Sequence, residues 1–291
     1  MKEHVALSRY TTLGTGGPAR WLATPESEEE LVERLAWADA EGLPVAVVGL
    51  GSNLLVADDG FPGLVLKLAG DLARAEAADG LLAGGGGAPL AVCLHRARAA
   101  GLGGFEFACA IPGTVGGGIW MNAGAYGGDM AGVLGRALVA DATGARWLTP
   151  DELGLRYRTS GLRHGQVVAR AEFGLQPRPP EEIKATVAGM QARRKEAQPT
   201  NKRTFGSVFK NPEHELSAGR MLEACGLRGY RSGGAQISPK HANFIENADG
   251  ARSGDALALI AEARRRAREQ FGVVLHPEVQ LLGAIAVPPL E

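Results

Sequence analysis

The chain has 291 residues, 45% of them apolar and 22% charged, with a formal net charge of -1. That length leaves room for two or three domains with ample core, and the composition argues against a disordered or low-complexity chain. The charge balance gives no global attraction to nucleic acid or to a membrane surface, so neither is expected as a partner. Cys93, Cys109 and Cys225 are odd in number and form no CxxC pair, which argues against a disulfide framework and suits a reducing compartment.

Residues 1–12 lack the apolar core of a signal peptide. No apolar run reaches the ~20 residues that a bilayer span takes, and a cytoplasmic location is expected. Leu13 to Arg20 reads as a flexible glycine turn. Ser27 and Glu30 have capping-box spacing, so a helix is predicted from Pro25-Glu26-Ser27, with Leu31, Leu35 and Ala38 on its apolar face and Gly42 as its stop. Pro44 to Val48 is predicted as a buried strand. It runs into Gly49-Leu50-Gly51-Ser52-Asn53-Leu54-Leu55-Val56. That turn is not a dinucleotide fingerprint, because Leu54 stands where G-x-G-x-x-G needs glycine and a strand-like run, Gly63 to Leu68, follows instead of a helix.

Gly84 to Gly87 precedes a helix predicted from Pro89 to Ala100 and closed by Gly101. The segment from Gly103 to Gly127 then mixes bare backbone at Gly113, Gly116, Gly117, Gly118 and Gly124 with Ile111, Val115, Ile119, Trp120 and Met121, which favour burial. A buried, apolar, glycine-rich segment reads as a ligand wall, since its N–H groups can converge on an anion and a flat group can approach the main chain. Strands are predicted at 137–140 and 167–173, with Tyr157-Arg158-Thr159-Ser160 between them.

Pro177-Arg178-Pro179-Pro180 reads as a domain boundary and Glu181 to Ala197 as a helix, acidic at its start and basic near its end. A polar and basic stretch, Gln198 to Pro212, follows it. Next come a short helix over 217–225, a long helix over 255–270, and a terminal strand over 273–283 carrying Glu278. The histidines show no metal-ligand spacing, and no metal is expected. Ser207 has no nucleophile elbow or triad around it, and by itself it reads as a turn or strand hydroxyl.

Val48 to Leu55, Ile111 to Gly117, Asn122 to Gly127, Tyr157 to Ser160, Gly206 to Pro212, Gly233 to Ser238, His241 to Asn247 and Pro277 to Val279 occur in one order along nearly the whole chain. In that order they resemble the UDP-N-acetylenolpyruvoylglucosamine reductases, also called UDP-N-acetylmuramate dehydrogenases. The resemblance implies an α+β fold: a two-lobed FAD-binding part of the vanillyl-alcohol-oxidase (PCMH) type and a third α+β substrate-binding domain. On that basis residues 1–68 form the first FAD lobe, 69–178 the second, and 179–291 the substrate domain. The run from Phe173 to Arg193 is mostly one helix, which leaves no room for the substrate-covering tyrosine loop of the longer subtype, so the shorter subtype is implied.

The resemblance further implies non-covalent FAD, NADPH as reductant, and UDP-N-acetylglucosamine enolpyruvate as substrate of a cytosolic step in peptidoglycan precursor synthesis. Hydride passes from flavin N5 to the enolpyruvyl methylene carbon. Ser207 matches the proton donor, and Arg158 and Glu278 match the pair that stabilises charge at the substrate carboxylate. Glu278 can help only as a neutral donor, a form that desolvation and the adjacent substrate carboxylate favour. Gly49, Gly51, Ser52 and Asn53 match the pyrophosphate turn, where backbone N–H groups hold the ligand. Ile111, Pro112, Gly113, Thr114, Gly116 and Gly117 match the flavin wall, with Asn122 and Gly124 nearby. Lys210, Asn211, Gln236 and His241 are expected at the UDP-sugar. Cys109, flanked by alanines, is expected to pack and not to bond the flavin. Two other readings stay open at this point: a different FAD-dependent oxidoreductase of the same superfold, and a nucleotide-sugar-binding protein without flavin.

Overall fold

The structure is a computed structural model and describes residues 1–289. The chain divides into two compact units. Unit 1 comprises Met1–Glu3, Trp21–Leu50 and Gly63–Arg194, and unit 2 comprises His4–Arg20, Gly51–Pro62 and the chain from Lys195 onward.

In unit 1, α1 (Glu28–Ala40) starts where the capping pattern predicts it. Ser27 Oγ accepts from the Glu30 N–H at 3.3 Å, and the Glu30 carboxylate reaches back to the Glu26 N–H at 2.8 Å. Leu31, Leu35 and Ala38 are buried, and Gly42 follows the helix with φ of 63°. Strands β1 (Lys2–Ala6), β2 (Pro18–Ala23), β3 (Val45–Val47) and β5 (Phe61–Leu66) form a sheet in the order β1–β2–β5–β3, with β3 parallel to β5; β1, β2 and β5 each carry residues assigned to both units. A five-stranded antiparallel sheet runs in the order β12–β11–β13–β7–β6, from β6 (Ala75–Ala78), β7 (Leu81–Gly85), β11 (Leu134–Asp141), β12 (Gly144–Leu148) and β13 (Val167–Gly174).

The remaining elements of unit 1 are α2 (Leu90–Ala99), α3 (Val115–Trp120), α4 (Pro180–Ala197, whose last residues belong to unit 2) and two short ladders. The ladders are β8 (Leu102–Gly103) with β14 (Gln176–Pro177), and β9 (Gly124–Ala125) with β10 (Gly128–Asp129). Gly84 and Gly85 are the end of β7 and not a free turn. A side chain at Gly85 would lie 2.3 Å from Leu72 O, so glycine is required for close packing there. Unit 1 has two cores. Phe105, Phe107 and Phe173 anchor one, and Leu31, Leu35, Leu64 and Leu66 anchor the other.

Unit 2 is built on the antiparallel sheet β15–β18–β17–β16, from β15 (Thr204–Ser207), β16 (Arg231–Ser232), β17 (Ala235–Ile237) and β18 (Phe244–Asn247). Helices α5 (Ala218–Ala224) and α6 (Ser253–Phe271) cover it, burying Met221, Ile260, Ala263 and Ala267 against Phe205 and Ile245. Strand β4 (Leu54–Val56) pairs in parallel with β19 (Gln280–Leu282). The Asp58 carboxylate accepts the Ser253 and Gly254 N–H groups at 2.9 and 3.2 Å, which satisfies the start of α6 from outside the helix.

Two expectations change. The 13–20 segment is packed and not flexible: Leu13 and Thr15 are buried, and a side chain at Gly17 would lie 2.1 Å from Asp58 O. The terminal strand shrinks from 273–283 to 280–282, because Pro277 has no N–H for a ladder and residues 276–278 pair with 208–210 instead. The compact units are drawn by packing and cut the chain at other places than the functional ranges 1–68, 69–178 and 179–291. Residues 4–20 and 51–62 join the C-terminal unit through Leu13 and Leu55 in its core and through the β4–β19 ladder. Most of α4 stays with unit 1. Arg178 pairs with the buried Glu106 carboxylate at 2.8 Å, Ile183 is buried, and Tyr126 donates to Met190 O at 3.0 Å.

Candidate active site

In unit 1 the flavin-wall candidates are built around the start of α3. Thr114 caps it, with its hydroxyl accepting from the Gly117 N–H at 3.4 Å. The helix is then fixed from below: Val115 N–H donates to Ala88 O at 2.9 Å and Gly116 N–H to Gly86 O at 2.7 Å. Gly116 is therefore a packing glycine, since its N–H is committed and a side chain there would lie 3.0 Å from Gly86 O. Gly49 lies against the same cap, and a Cβ on it would sit 2.6 Å from Thr114 Oγ1. Lys67 Nζ donates to Gly49 O at 3.0 Å. Gly49, at the start of the turn after β3, and Thr114 of the 111–117 loop thus come together in unit 1. Ile111 and Gly113 are half-buried, and Pro112 and Gly117 are exposed.

Asn122 is buried with φ of 39° and uses its whole side chain internally. Its amide donates to Asp129 Oδ2 and Arg156 O at 3.3 and 3.2 Å, and its oxygen accepts the Ala131 N–H at 2.9 Å. It is a strut that ties the 122–131 hairpin to the 156–159 turn. That turn holds Arg158 at φ of 55°, a conformation a side-chain-bearing residue adopts only when its surroundings impose it. The Arg158 guanidinium donates to Gly124 O at 2.8 Å and stacks 5.1 Å from the Tyr157 ring. Arg158 and Gly124 are therefore neighbours.

In unit 2 the geometry brings Ser207 and Glu278 together. Gly206, at φ of 81°, breaks the β15 register ahead of Ser207. Val208 next to it donates its N–H to Asn243 O at 2.9 Å and accepts the Glu278 N–H at 2.8 Å. One residue after that, Asn243 holds Phe209 at both ends, its oxygen accepting the Phe209 N–H at 3.0 Å and its amide donating to Phe209 O at 2.9 Å. Lys210 N–H donates to His276 O at 3.0 Å. Ser207 and Glu278 are thus fixed on adjacent segments, and both are half-buried.

Asn243 is a residue that sequence reasoning missed. Its signal was an asparagine set between Ala242 and Phe244 in an apolar run. The turn candidates of unit 2 lie on the same frame. Gly51 has φ of 67° and would press a side chain to 1.8 Å from Tyr10 O, and its carbonyl accepts the Thr12 N–H at 3.0 Å. Asn53 Nδ2 donates to Glu278 O at 3.2 Å, and Ser52 is half-buried beside it.

The expected sugar contacts are mostly engaged in holding the fold. Asn211 accepts the Ala218 N–H at 3.1 Å, and Gln236 donates to Gly229 O at 3.0 Å. His241 Nδ1 accepts the Asn243 N–H at 3.2 Å, so its neutral ring carries the proton on Nε2. Burial is the main cause holding the His241 imidazole below its ordinary value, with Arg228 and Arg220 adding to it. Lys210 is half-buried, and its ammonium forms no hydrogen bond or ion pair among the described residues. Desolvation pushes the Cys109 thiol up and burial takes Cys93 to about 12. Among the described residues no cluster could hold a metal ion, and no helix is long and apolar enough to cross a membrane.

Two family models match this chain. An FAD binding domain matches residues 19–148, and the C-terminal domain of UDP-N-acetylenolpyruvoylglucosamine reductase matches residues 198–282. A curated UDP-N-acetylenolpyruvoylglucosamine reductase 2 of Symbiobacterium thermophilum is 43% identical over 279 residues, covering 95% of this chain and 90% of that protein. The reductase of Synechococcus sp. strain WH7803 is 44% identical over 292 residues, covering 97% of this chain and 93% of its own. The crystal structure of the UDP-N-acetylenolpyruvylglucosamine reductase from Thermus caldophilus superposes with a TM-score of 0.84 at 40% identity, covering 96% of this chain and 98% of that one.

Proposed function

The chain belongs to the UDP-N-acetylenolpyruvoylglucosamine reductase family, and from that premise we propose how its residues divide the work. It is an FAD-binding oxidoreductase of peptidoglycan precursor synthesis, with NADPH as the reductant. UDP-N-acetylglucosamine enolpyruvate is its substrate and UDP-N-acetylmuramate its product, in the cytoplasm. The family assignment sets aside both the different oxidoreductase and the flavin-less binding protein. The residues fit FAD on one observation above the others: close packing of Gly49 against Thr114 and of Gly51 against Tyr10 fixes the turn, while Leu50 at its tip and Pro112 and Gly117 of the glycine-rich loop stay exposed, so both segments keep surface that a phosphate or a flat ring can approach.

FAD, when bound, would supply the hydride chemistry that links NADPH oxidation to reduction of the methylene carbon of the enolpyruvyl ether. The backbone of 49–53 would hold its pyrophosphate, and residues 111–114 with Gly117 would line its ring system. Gly116, Asn122 and Gly124 act behind that wall, given their internal hydrogen bonds and packing. The Cys109 thiol stays protonated by desolvation, which supports a flavin held without a covalent bond.

Hydride delivery leaves negative charge on the carbon next to the substrate carboxylate. Arg158 stabilises it, since a guanidinium fork matches a carboxylate, and Glu278 assists as a neutral donor. Ser207 delivers the proton to that carbon. A hydroxyl is a weak acid, so the step depends on alignment. The ladder through Val208 supplies that alignment, and it is the observation that carries the reading. Residues 1–68 and 69–178 serve FAD and 179–291 serve the UDP-sugar, with Lys210 as the cation for its phosphates. The test is turnover. NADPH consumption should require the enolpyruvyl sugar and yield UDP-N-acetylmuramate by mass spectrometry. Consumption that ignores the sugar would contradict the assignment.

A further inference from the structure

Glu278 is held at both backbone groups. Its N–H donates to Val208 O at 2.8 Å. Its carbonyl accepts two side-chain amides, from Asn53 at 3.2 Å and from Gln280 at 3.1 Å. The Asn53 carbonyl in turn accepts the Gln280 N–H at 3.0 Å, which starts the parallel ladder of β4 with β19. Asn53 is thus tied to Glu278 directly and to Gln280 two residues further on. We propose that Asn53 and Gln280 are positioning residues for Glu278: their amides fix its main chain so that the carboxyl group meets the substrate in one orientation, and they couple it to the turn at 51–53.

The inference rests on the functional reading above, because it gives Glu278 a task in the second half of the reaction only. Flavin reduction by NADPH does not use Glu278. Transfer to the enolpyruvyl sugar does, and a displacement of about 1 Å at a catalytic group can cost up to ~100-fold in rate. The side-chain amide of Asn53 is also distinct from its backbone N–H, which the phosphate turn needs.

The test separates the half-reactions by stopped-flow absorbance under anaerobic conditions, each rate normalised to bound flavin. Q280M should retain flavin bleaching by NADPH and slow the return of colour with the enolpyruvyl sugar by about 10-fold, in the rate constant and not in the concentration dependence. N53A should lower the ratio of the second rate to the first by roughly 10- to 100-fold, beyond any change in FAD affinity. N53D, which keeps the shape and loses the donor, should be as slow as N53A. In the flavin-free protein, amide hydrogen exchange at Glu278 and at residue 280 should be faster in both N53A and Q280M than in wild type.

A ratio unchanged in both Q280M and N53A would overturn the proposal. So would full recovery in N53D or unaltered exchange at 278–280. If N53A does not fold, Q280M and its exchange pattern decide alone. A wild-type protein that bleaches and never regains colour would instead sink the functional reading itself.

Discussion

At the scale of single residues, the account turns on a hydroxyl asked to act as an acid. Ser207→Ala should leave flavin reduction by NADPH at the wild-type rate and stop the second half-reaction. Single-turnover absorbance reads both, and impaired bleaching would mean that Ser207 serves another step. His241 gives a prediction of a different kind. Burial depresses its imidazole, so the unfolded chain takes up a proton at a pH where the folded chain does not. Stability is therefore fully present above the ordinary value of 6.5 and falls as pH drops through it. Urea midpoints at about pH 7.5 and about pH 5.5 should separate more in wild type than in His241→Gln. Equal separation would show that the ring does not titrate with folding.

At the scale of elements, the external cap on α6 is the most exposed to test. Asp58→Ala removes the acceptor for two N–H groups at the start of a 19-residue helix and should cost about 1 kcal/mol, read as a lower urea midpoint with an unchanged slope. An unshifted midpoint would mean that water replaces the carboxylate without loss.

The elements were also where the sequence was most legible. Ser27 with Glu30, Gly42 and Gly101 marked helix ends because caps are local chemistry. The strands read at 44–48 from a β-branched run and at 167–173 from rough alternation are found at 45–47 and 167–174. What escaped was non-local. Nothing near Pro177-Arg178-Pro179 in sequence reveals that a buried Glu106 awaits Arg178, a contact that packs the start of the linker helix with unit 1. Nothing in 273–283 reveals that 276–278 pair with 208–210. Motif order located Ser207, Glu278 and Arg158. It did not distinguish ligand-facing residues from struts such as Asn122 and Gly116, because both kinds are embedded in the same glycine-rich text.

At the scale of the whole molecule, the two units carry different parts of the account. Unit 1 holds Arg158 and the glycine wall over two apolar cores. Unit 2 holds Ser207 and Glu278 on one hydrogen-bonded frame. The segment from Gly49 to Asn53 carries residues of both. The central claim is that one flavin passes through both half-reactions. The measurement that tests it most directly is the flavin absorbance of the anaerobic purified protein, with NADPH added first and UDP-N-acetylglucosamine enolpyruvate second. The account predicts bleaching by NADPH and prompt return of colour with the enolpyruvyl sugar. Bleaching with no return, or no flavin band after FAD is added, would contradict it.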